Sequence, residues 1–383
     1  MHPRLFAYVY RPLGSTVAQT FIDLSAKLED VDIYVQQDGG LRGLEATVAV
    51  RPERTYEFLQ NYIGKRLVIL DQRLDVVAEG TIIVLYATER GMRLSCVGPY
   101  WDVCFRQVYN DTASWVDPCT TSQIIKAMLT AECPAVGSDQ TDIGETNTDP
   151  SPWQTAENAY PGELIPRLAA MSDSQHREWY FYLKSAPLLF CEPQPPIPFF
   201  KYQSVELIDF WIDRAQCPEG GLELSPSIME LANDVRVMYR DAAGSQQQTA
   251  PASDADSQSK YWLQEVHDVT IATVPTAVAN QYRDLYLARY KDPQQSLVFR
   301  VTGWLRDSRQ IRFPLWEMIK KFPCTVGIRD LDATLPKMGS IDHKTTFAVA
   351  AARYSYARNE LTIAPDLEEK TLENLLALWM GVG

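Results

Sequence analysis

Short runs in which apolar residues alternate with polar ones fill the first part of the chain. The runs are LFAYVYRP, VDIYVQ, LEATVAV, RLVILD, GTIIVLYA and MRLSCVG. Their β-branched and aromatic residues, bounded by Gly, Asp and Pro, are typical of strands. Tight-turn residues lie at Asp38–Gly40 and Glu89–Gly91, and the segment from Pro52 to Gly64 predicts a short helix. The pattern predicts a small β-barrel or sandwich over residues 1–109.

Helical periodicity begins after Asn110. Thr120 and Gln123 have the spacing of a capping box, and a second helix is predicted from Pro161. Their apolar faces are Ile124, Ile125, Met128 and Leu129 in the first helix, and Leu164, Ile165, Leu168 and Met171 in the second. EWYFYLKSAPLLFCEPQPP predicts a hairpin of two runs around KSAP. We expect a separate α+β module over residues 110–200.

Strand patterns return over residues 201–365. They include DVRVMYRD, SLVFRVTGW, CTVGIRD, TTFAVAAARYSYA and ELTIAP, and one helix, TAVANQYRDLYLARYKDP, interrupts them. A second β domain with one helix is therefore predicted for residues 201–365. Residues 366–383 predict a C-terminal helix with a narrow stripe made of Leu372, Leu375, Leu376 and Trp379. The predicted fold class is β-rich α+β with several domains.

Two segments share an order of features. Residues 67–98 and 325–365 each run strand, Asp, loop, Gly, hydrophobic strand, short polar turn and strand. The residues barely match, so two unrelated meanders remain one explanation and two related barrels in one chain the other.

A polar tract lies inside the second β domain, in NDVRVMYRDAAGSQQQTAPASDADSQSKYW. AAGSQQQTAPASDADSQSK is poor in bulky residues and cannot bury a core by itself. It is predicted to be a disordered hairpin connection, or else a loop that becomes ordered only against a neighbouring subunit or the next ring.

Composition and charge narrow the function classes. The chain has 383 residues, with 46% hydrophobic and 22% charged, as in folded proteins. Its net charge of -13 argues against a protein that grips nucleic acid through phosphate contacts. No apolar run suggests a signal peptide or stable membrane insertion. Seven cysteines without a CxxC pair indicate reduced thiols and a protein made in a cytoplasm.

The search for chemistry finds no catalytic, cofactor-binding or metal site. The histidines are His2, His176, His267 and His343, without metal-ligand spacing. Cys96, Cys104, Cys191 and Cys324 lie in or beside apolar runs. Acidic groups occur at Asp139, Asp142, Glu145 and Asp149, at Asp254 and Asp256, and at Asp330 and Asp332, and solvated turns are the expected role. A glycoside-cleaving carboxylate pair stays open, because its spacing is spatial.

One passage around the polar tract resembles tail proteins of tailed bacteriophages. A strand ending in Tyr and Asp leads to a Gly turn, a polar stretch and an aromatic-led return strand, at Tyr239, Asp241, Gly244, Asp256, Ser257, Ser259 and Tyr261. LARYKDP, VFRVTGW, FPLWEMIKKFPCTVGIRDLD and TTFAVAAARYSYARNELTIAP then follow in the order of that family. The upstream pieces VAEGTIIVLYATERGMRLSCVG and YPGELIPRLAAMSD are similar in kind.

The resemblance implies a tail hub, the ring at the tip of the phage tail, related to hubs of contractile injection machines. Members are homotrimers in which each chain supplies two barrels like those of the tail tube, so residues 1–109 and 201–365 are expected to be tube-like. The implied partners are the tail tube or distal tail protein, tail fibre or tip proteins and the tape measure protein. A negative channel wall is expected to let the genome pass without specific binding.

The hypothesis is therefore a non-enzymatic structural virion protein, assembled in the host cytoplasm and placed at the tail tip or baseplate. Alternatives are the distal tail ring protein, with six subunits, and a tail-associated cell-wall hydrolase. A carbohydrate-binding module is a further alternative, given Trp153, Trp179, Trp211 and Trp262 in or near predicted loops.

Overall fold

The computed structural model describes residues 4–10, 12, 21–49, 61–88, 91–109, 120–146, 159–170, 179–189, 194–202, 208–218, 222–227, 231–241, 243–273, 276–292, 294–329 and 346–365. The chain divides into two compact units. Unit 1 comprises 1–221, 299–329 and 346–365, and unit 2 contains 222–298, 330–345 and 366–383. The predicted β-rich α+β class is confirmed.

An antiparallel sheet forms the N-terminal part of unit 1. Its strands are β1 Phe6–Tyr10, β2 Ile22–Asp23, β3 Leu28–Gln36, β4 Gly39–Val48, β5 Arg66–Leu70, β6 Val76–Thr88 and β7 Gly91–Val97. Hydrogen bonding places them in the order β2–β1–β5–β6–β7–β4–β3. A short 3-10 turn, Ser25–Lys27, precedes β3. Gly39 in the β3–β4 turn has φ 86°, and the ring of Tyr100 lies where a Cβ would project, so this turn requires glycine.

Helices and a hairpin follow the N-terminal sheet. They are α1 Pro99–Val103, α2 Thr121–Glu132, α3 Pro161–Ala170, β8 Trp179–Lys184 and β9 Ile197–Tyr202, with β10 Phe210–Asp213 and a 3-10 turn Arg214–Gln216 after them. The capping box of Thr120 and Gln123 forms as predicted at the start of α2. The predicted hairpin around KSAP has a different second strand. Trp179 pairs with Tyr202 and Lys184 with Ile197, so the partner is IPFFKY.

The core of this region crosses the predicted boundary between residues 109 and 110. Tyr100 and Cys104 are buried in the same cluster as Ile125, Leu164 and Phe181. Strand β8 also pairs in parallel with β4, through Gly39 and Tyr182. Helices α2 and α3 therefore share one core with α1 instead of forming a module with a core of its own.

Unit 2 has its own small sheet and core. Its elements are β11 Leu222–Ser227, β12 Asp234–Arg240, β13 Gln246–Gln248, β14 Ala252–Ser253, α4 Ala255–Tyr261, β15 Glu265–Thr273 and α5 Thr276–Tyr290. Strand β12 pairs with β13 and β14 antiparallel and with β15 parallel. The buried residues Val235, Val237 and Tyr239 of β12 pack against Ala279 and Tyr282 of α5.

Unit 2 bears on two predictions. The second β domain over 201–365 stays a prediction, and residues 222–298 within it belong to a separate compact unit. The tract predicted as a disordered connection contains β13, β14 and α4 instead. Hydrogen bonds to a buried asparagine, described below, supply the order that its composition does not predict.

The remaining strands belong to unit 1 from residue 299 onward. They are β16 Gln294–Thr302, β17 Leu305–Arg306, β18 Arg312–Phe313, β19 Thr325–Arg329, β20 Thr346–Ser355 and β21 Glu360–Pro365, with helix α6 Glu317–Lys321 before β19. Pairing gives the order β18–β17–β10–β19–β20–β21–β16. The predicted C-terminal helix at 366–383, and residues 52–60 of the predicted helix at Pro52 to Gly64, lie outside the described residues.

Candidate assembly surface

Two three-stranded meanders in unit 1 have the same hydrogen-bond register. In β5–β6–β7, Ile82 pairs with Cys96 and Val84 with Ser95, so Ile83 is an extra residue that forms a bulge. In β19–β20–β21, Val349 pairs with Pro365 and Ala351 with Ala364, so Ala350 is the extra residue. From the bulge to the end of the hairpin, each pair in the first meander has a counterpart in the second.

The match extends to the strand before each bulge. The Ile82 N–H donates to the Lys65 carbonyl at 2.9 Å, and the Val349 N–H donates to the Cys324 carbonyl at 3.0 Å. We name the set β1, β5, β6, β7 and β4 repeat 1, and the set β10, β19, β20, β21 and β16 repeat 2. Each is hydrogen-bonded in that order. The one difference in direction is the first pair, antiparallel for β1–β5 and parallel for β10–β19.

The two repeats are joined by strand pairing, at a place that we name the junction. Beyond the bulge, Ala351–Ser355 of β20 pair antiparallel with residues 32–36 of β3. The Gln37 N–H donates to the Ala350 carbonyl at 2.8 Å. Since β3 also pairs with β4, one continuous sheet runs through both repeats.

One face of that sheet, which we name the shared face, carries charges of both signs. Side chains on it are Arg93, Glu45, Asp32, Tyr34, Arg353 and Arg300. Arg93 forms an ion pair with Glu45, whose hydrogen bond raises the pKa of the guanidinium. Arg353 reaches Asp32 across the junction, with 3.0 Å between nitrogen and oxygen. Arg93 and Arg353 are therefore partnered by carboxylates of neighbouring strands, and the face is not uniformly acidic.

An ion pair lies in the interior of repeat 1. Arg66 of β5 and Glu79 of β6 are in hydrogen-bond contact, and both side chains are buried. Burial raises the pKa of Glu79, and the guanidinium of Arg66 opposes that rise. Arg66 also donates to the carbonyl of Gln194, at 3.0 Å. Such a pair depends on both partners, because either charge alone would be buried without compensation.

In unit 2 a buried residue that sequence analysis overlooked organises the polar tract. The Asn233 amide donates to the Trp262 carbonyl at 2.6 Å and to Ser257 Oγ at 3.2 Å, and its oxygen accepts from the Gln264 N–H at 2.8 Å. Its backbone carbonyl accepts from the Asp254 N–H at 3.0 Å. In the sequence, the only sign of this role is that Asn233 directly precedes a strand of alternating residues, and such a position does not by itself predict a buried asparagine.

The tryptophans considered for carbohydrate binding have different surroundings where they are described. Trp179 is buried in the core around α2 and α3, and Trp211 lies under the guanidinium of Arg329 at 5.1 Å. Trp262 is 81% exposed and has φ 70°, held by the bond from Asn233. Trp153 lies outside the described residues. These positions give no platform of stacked rings.

The candidate thiols and histidines are described only in part. Cys96, Cys104 and Cys324 are buried, and desolvation raises the pKa of Cys96 and Cys324, so both stay protonated. Cys191, His2, His176 and His343 lie outside the described residues, and for His267 only the backbone, in β15, is described.

Acidic side chains occupy structural positions where they are described. Asp142 pairs with Lys201, Glu145 with Lys126, and Asp139 accepts from the Thr141 hydroxyl. Asp254 caps α4 by accepting from the Ser257 N–H at 2.9 Å, and Asp256 follows in the first turn. Asp149, Asp330 and Asp332 lie outside the described residues. Within the described part of the chain, no three His, Cys, Asp or Glu side chains are grouped so as to hold a metal ion.

Among the described residues, no helix has both the length and the apolar character needed to span a membrane.

Comparison with solved structures places the fold among phage tail proteins. The chain is similar to the 43 kDa tail protein of prophage MuSo2 from Shewanella oneidensis, with a TM-score of 0.57, 13% identity and coverage of 95% of this chain and 98% of that one. It is also similar to a prophage tail protein from Listeria monocytogenes EGD-e, with a TM-score of 0.57, 12% identity and coverage of 98% and 99%.

A third similar structure is the tail protein from Neisseria meningitidis MC58, with a TM-score of 0.56, 11% identity and 98% of each chain covered. No family model and no curated protein matches the sequence. The resemblance predicted from the order of sequence features is thus confirmed at the level of the fold.

Proposed function

We propose that this chain is a structural virion protein that forms the hub ring at the tip of a bacteriophage tail. Three copies, each with two repeats, would present a pseudo-sixfold ring to a sixfold tail tube. The observation that carries this proposal is the shared register of repeats 1 and 2, including the bulges at Ile83 and Ala350. A threefold object needs two similar modules per chain to match a sixfold cylinder.

The partners of such a ring are proteins above and below it. The tail tube or distal tail protein would contact one side, and fibre or tip proteins the other, while the tape measure protein and then the genome pass through the opening. Broad protein interfaces of this kind need no catalytic group. The similarity of the fold to phage tail proteins supports a non-enzymatic role at the tail tip after assembly in the host cytoplasm.

The shared face is the proposed wall of that opening. Binding to nucleic acid through phosphates requires cations that are free to release counterions. On the shared face Arg93 and Arg353 are engaged by Glu45 and Asp32. Engaged cations, together with a net charge of -13, support passage of DNA without specific binding.

The stoichiometry of the purified full chain tests the proposal. Sedimentation and native mass spectrometry are expected to give three copies, and electron microscopy a ring with six similar lobes. Six chains in one ring would favour the distal tail ring protein instead. A chain that stays monomeric up to the concentrations of a tail assembly, with and without tail tube protein, would overturn the proposal.

A further inference from the structure

Two cysteines lie in the core around α2 and α3, each at the end of a helix. Cys104 directly follows α1, and its N–H donates to the Tyr100 carbonyl at 3.0 Å. Cys133 directly follows α2, and its N–H donates to the Leu129 carbonyl at 3.1 Å. Both belong to one buried cluster, in which Cys104 is 0% exposed and Cys133 1% exposed. The backbone of each cysteine is therefore fixed by the last turn of its helix.

The two side chains are in contact with each other. The thiols form a side-chain hydrogen bond, and this contact together with burial raises the pKa of Cys104 well above its ordinary value. Both thiols also lie near the buried phenol of Tyr100, whose hydroxyl donates to the Gly162 carbonyl at 2.7 Å. Contacts with α1, α2 and α3 thus hold the pair in place.

The other described cysteines lie near charged groups instead. These neighbours are Glu45 for Cys96, Arg214 for Cys217 and Asp209 for Cys324. All five described cysteines are free thiols. A disulfide forms without backbone movement only where two cysteines are already held close together. Cys104 and Cys133 have the contact from which such a bond can form.

We propose that Cys104 and Cys133 are a latent disulfide site, reduced while the chain folds and oxidised when the folded chain meets a peroxide. Hydrogen peroxide first transfers one oxygen to one thiol, which becomes a sulfenic acid while water leaves. The second sulfur then attacks the first, the S–S bond forms, and the hydroxyl leaves with the proton of the second thiol as water. The two thiols lose two electrons and two protons, and the peroxide becomes two molecules of water.

The raised pKa and the burial determine how fast this reaction runs. Cys104 stays a thiol at neutral pH, and a thiol is a much weaker nucleophile than a thiolate. The bond is therefore expected to form slowly and, once formed, to be shielded from reductants. A virion protein is made in a reducing cytoplasm and acts outside the cell, where disulfides persist. The occurrence of the bond in released virions rests on the proposed function, whereas the pairing of the two cysteines does not.

The bond would connect α1 to α2 across one core. It closes a loop between residues 104 and 133, and a cross-link of this kind stabilises mainly by restricting the unfolded chain. Oxidation is therefore expected to raise the thermal unfolding midpoint of the full chain by about 5 °C.

Peroxide treatment of the folded full chain, followed by peptide mapping without reductant, tests the proposal. The chain is expected to lose the mass of two hydrogen atoms and to give a cross-linked peptide that joins residues 104 and 133. Cys133→Ala should abolish the cross-link and the rise of the thermal midpoint on oxidation. Cys96→Ala, at a buried cysteine outside the pair, is the matched control and should form the bond like the parent chain. Circular dichroism establishes that both variants fold.

The mapping of the unmodified chain needs no variant. Free thiols at both positions, after a treatment that fully oxidises a small free thiol, would overturn the site. A bond from Cys104 or Cys133 to a third cysteine, or a sulfinic acid at either position, would overturn it as well. A trimeric ring whose two thiols stay free would overturn the disulfide but not the hub. A chain that forms the bond and stays monomeric would support the disulfide and overturn the hub.

Discussion

Repeats 1 and 2 share a backbone register but fill it with different side chains. At the first residue of the second strand in each repeat, β5 in repeat 1 has Arg66, which is buried against Glu79. Repeat 2 has Thr325 there, whose N–H and hydroxyl bond to Asp209 at 2.9 Å and 3.2 Å. The bulge and the strand order therefore define the architecture, and each repeat satisfies its buried polar groups separately.

The same comparison holds for the strand edges. Beyond the bulge, β3 pairs with repeat 2, where Ala352 and Tyr354 are buried, whereas Tyr86 and Ala87 at the equivalent part of repeat 1 are exposed. Among the described residues, one backbone register thus has strands on both of its edges in repeat 2 and on one edge in repeat 1. Unit 2 has its own sheet, so a substitution in unit 2 can be compared with substitutions in the two repeats.

The largest effect is expected at the two equivalent polar positions. Arg66→Met leaves Glu79 buried without its partner and should lower the free energy of unfolding by about 3–5 kcal/mol. Thr325→Val removes the neutral hydroxyl facing Asp209 and should cost about 1–2 kcal/mol. Urea unfolding of both variants measures the difference.

The double variant Arg66→Met with Glu79→Leu is the control for the ion pair. It removes both charges, so it should recover most of the stability that Arg66→Met loses. If Arg66→Met and Thr325→Val lowered the free energy of unfolding equally, the predicted difference between the buried ion pair and the neutral hydroxyl would be contradicted.

A smaller effect, confined to unit 2, is expected from Asn233→Ala. It removes the side-chain bonds to Trp262, Ser257 and Gln264, at a cost of about 2–3 kcal/mol. Hydrogen exchange should become faster across residues 243–264 and stay unchanged in both repeats. Asn280→Ala, on the neighbouring helix α5, is the control and should leave that segment protected. Faster exchange in repeat 1 or repeat 2 would show that their stability depends on the hydrogen bonds of Asn233, which contradicts the prediction.

The smallest effect concerns the cap of α4. The Ser257 N–H and then Lys291 hold the pKa of Asp254 below its ordinary value. A carboxyl group with a lowered folded pKa stabilises above its unfolded pKa, about 3.9, and this stability is lost as the pH falls through the folded pKa. The protection factors of the α4 amides, which are corrected for the pH dependence of intrinsic exchange, should therefore fall in acid, and Asp254→Ala should cost about 1 kcal/mol at neutral pH.

Asp254→Asn is the control for the acid effect, since it keeps a capping oxygen and cannot titrate. The protection factors of its α4 amides should depend less on pH than those of the parent chain. An unchanged acid response in Asp254→Asn would assign the effect to another group.

Local patterns predicted the local structure of this chain. Thr120 and Gln123 lie within four residues of each other, and their capping box marks the start of α2. The alternation of apolar and polar residues predicted β5, β6 and β7. The similarity between residues 67–98 and 325–365 was visible as an order of features. Its residue-level register was not, because the bulges at Ile83 and Ala350 depend on pairing with other strands.

Long-range pairing accounts for the predictions that were wrong. Either LLFC or IPFFKY could follow β8 as an apolar run, and only the folded sheet selects Ile197–Tyr202. The polar tract is ordered by Asn233, which lies up to 31 residues away from its hydrogen-bond partners. The core around α2 and α3 recruits Tyr100 from before the predicted boundary. None of these choices leaves a signal in a short window of sequence.

The mass and symmetry of the assembled chain test the central claim most directly. Electron microscopy combined with native mass spectrometry should find three copies in a ring, with repeats 1 and 2 alternating at six similar positions around its axis. A stable monomer, or a ring in which the two repeats occupy dissimilar positions, would contradict the account.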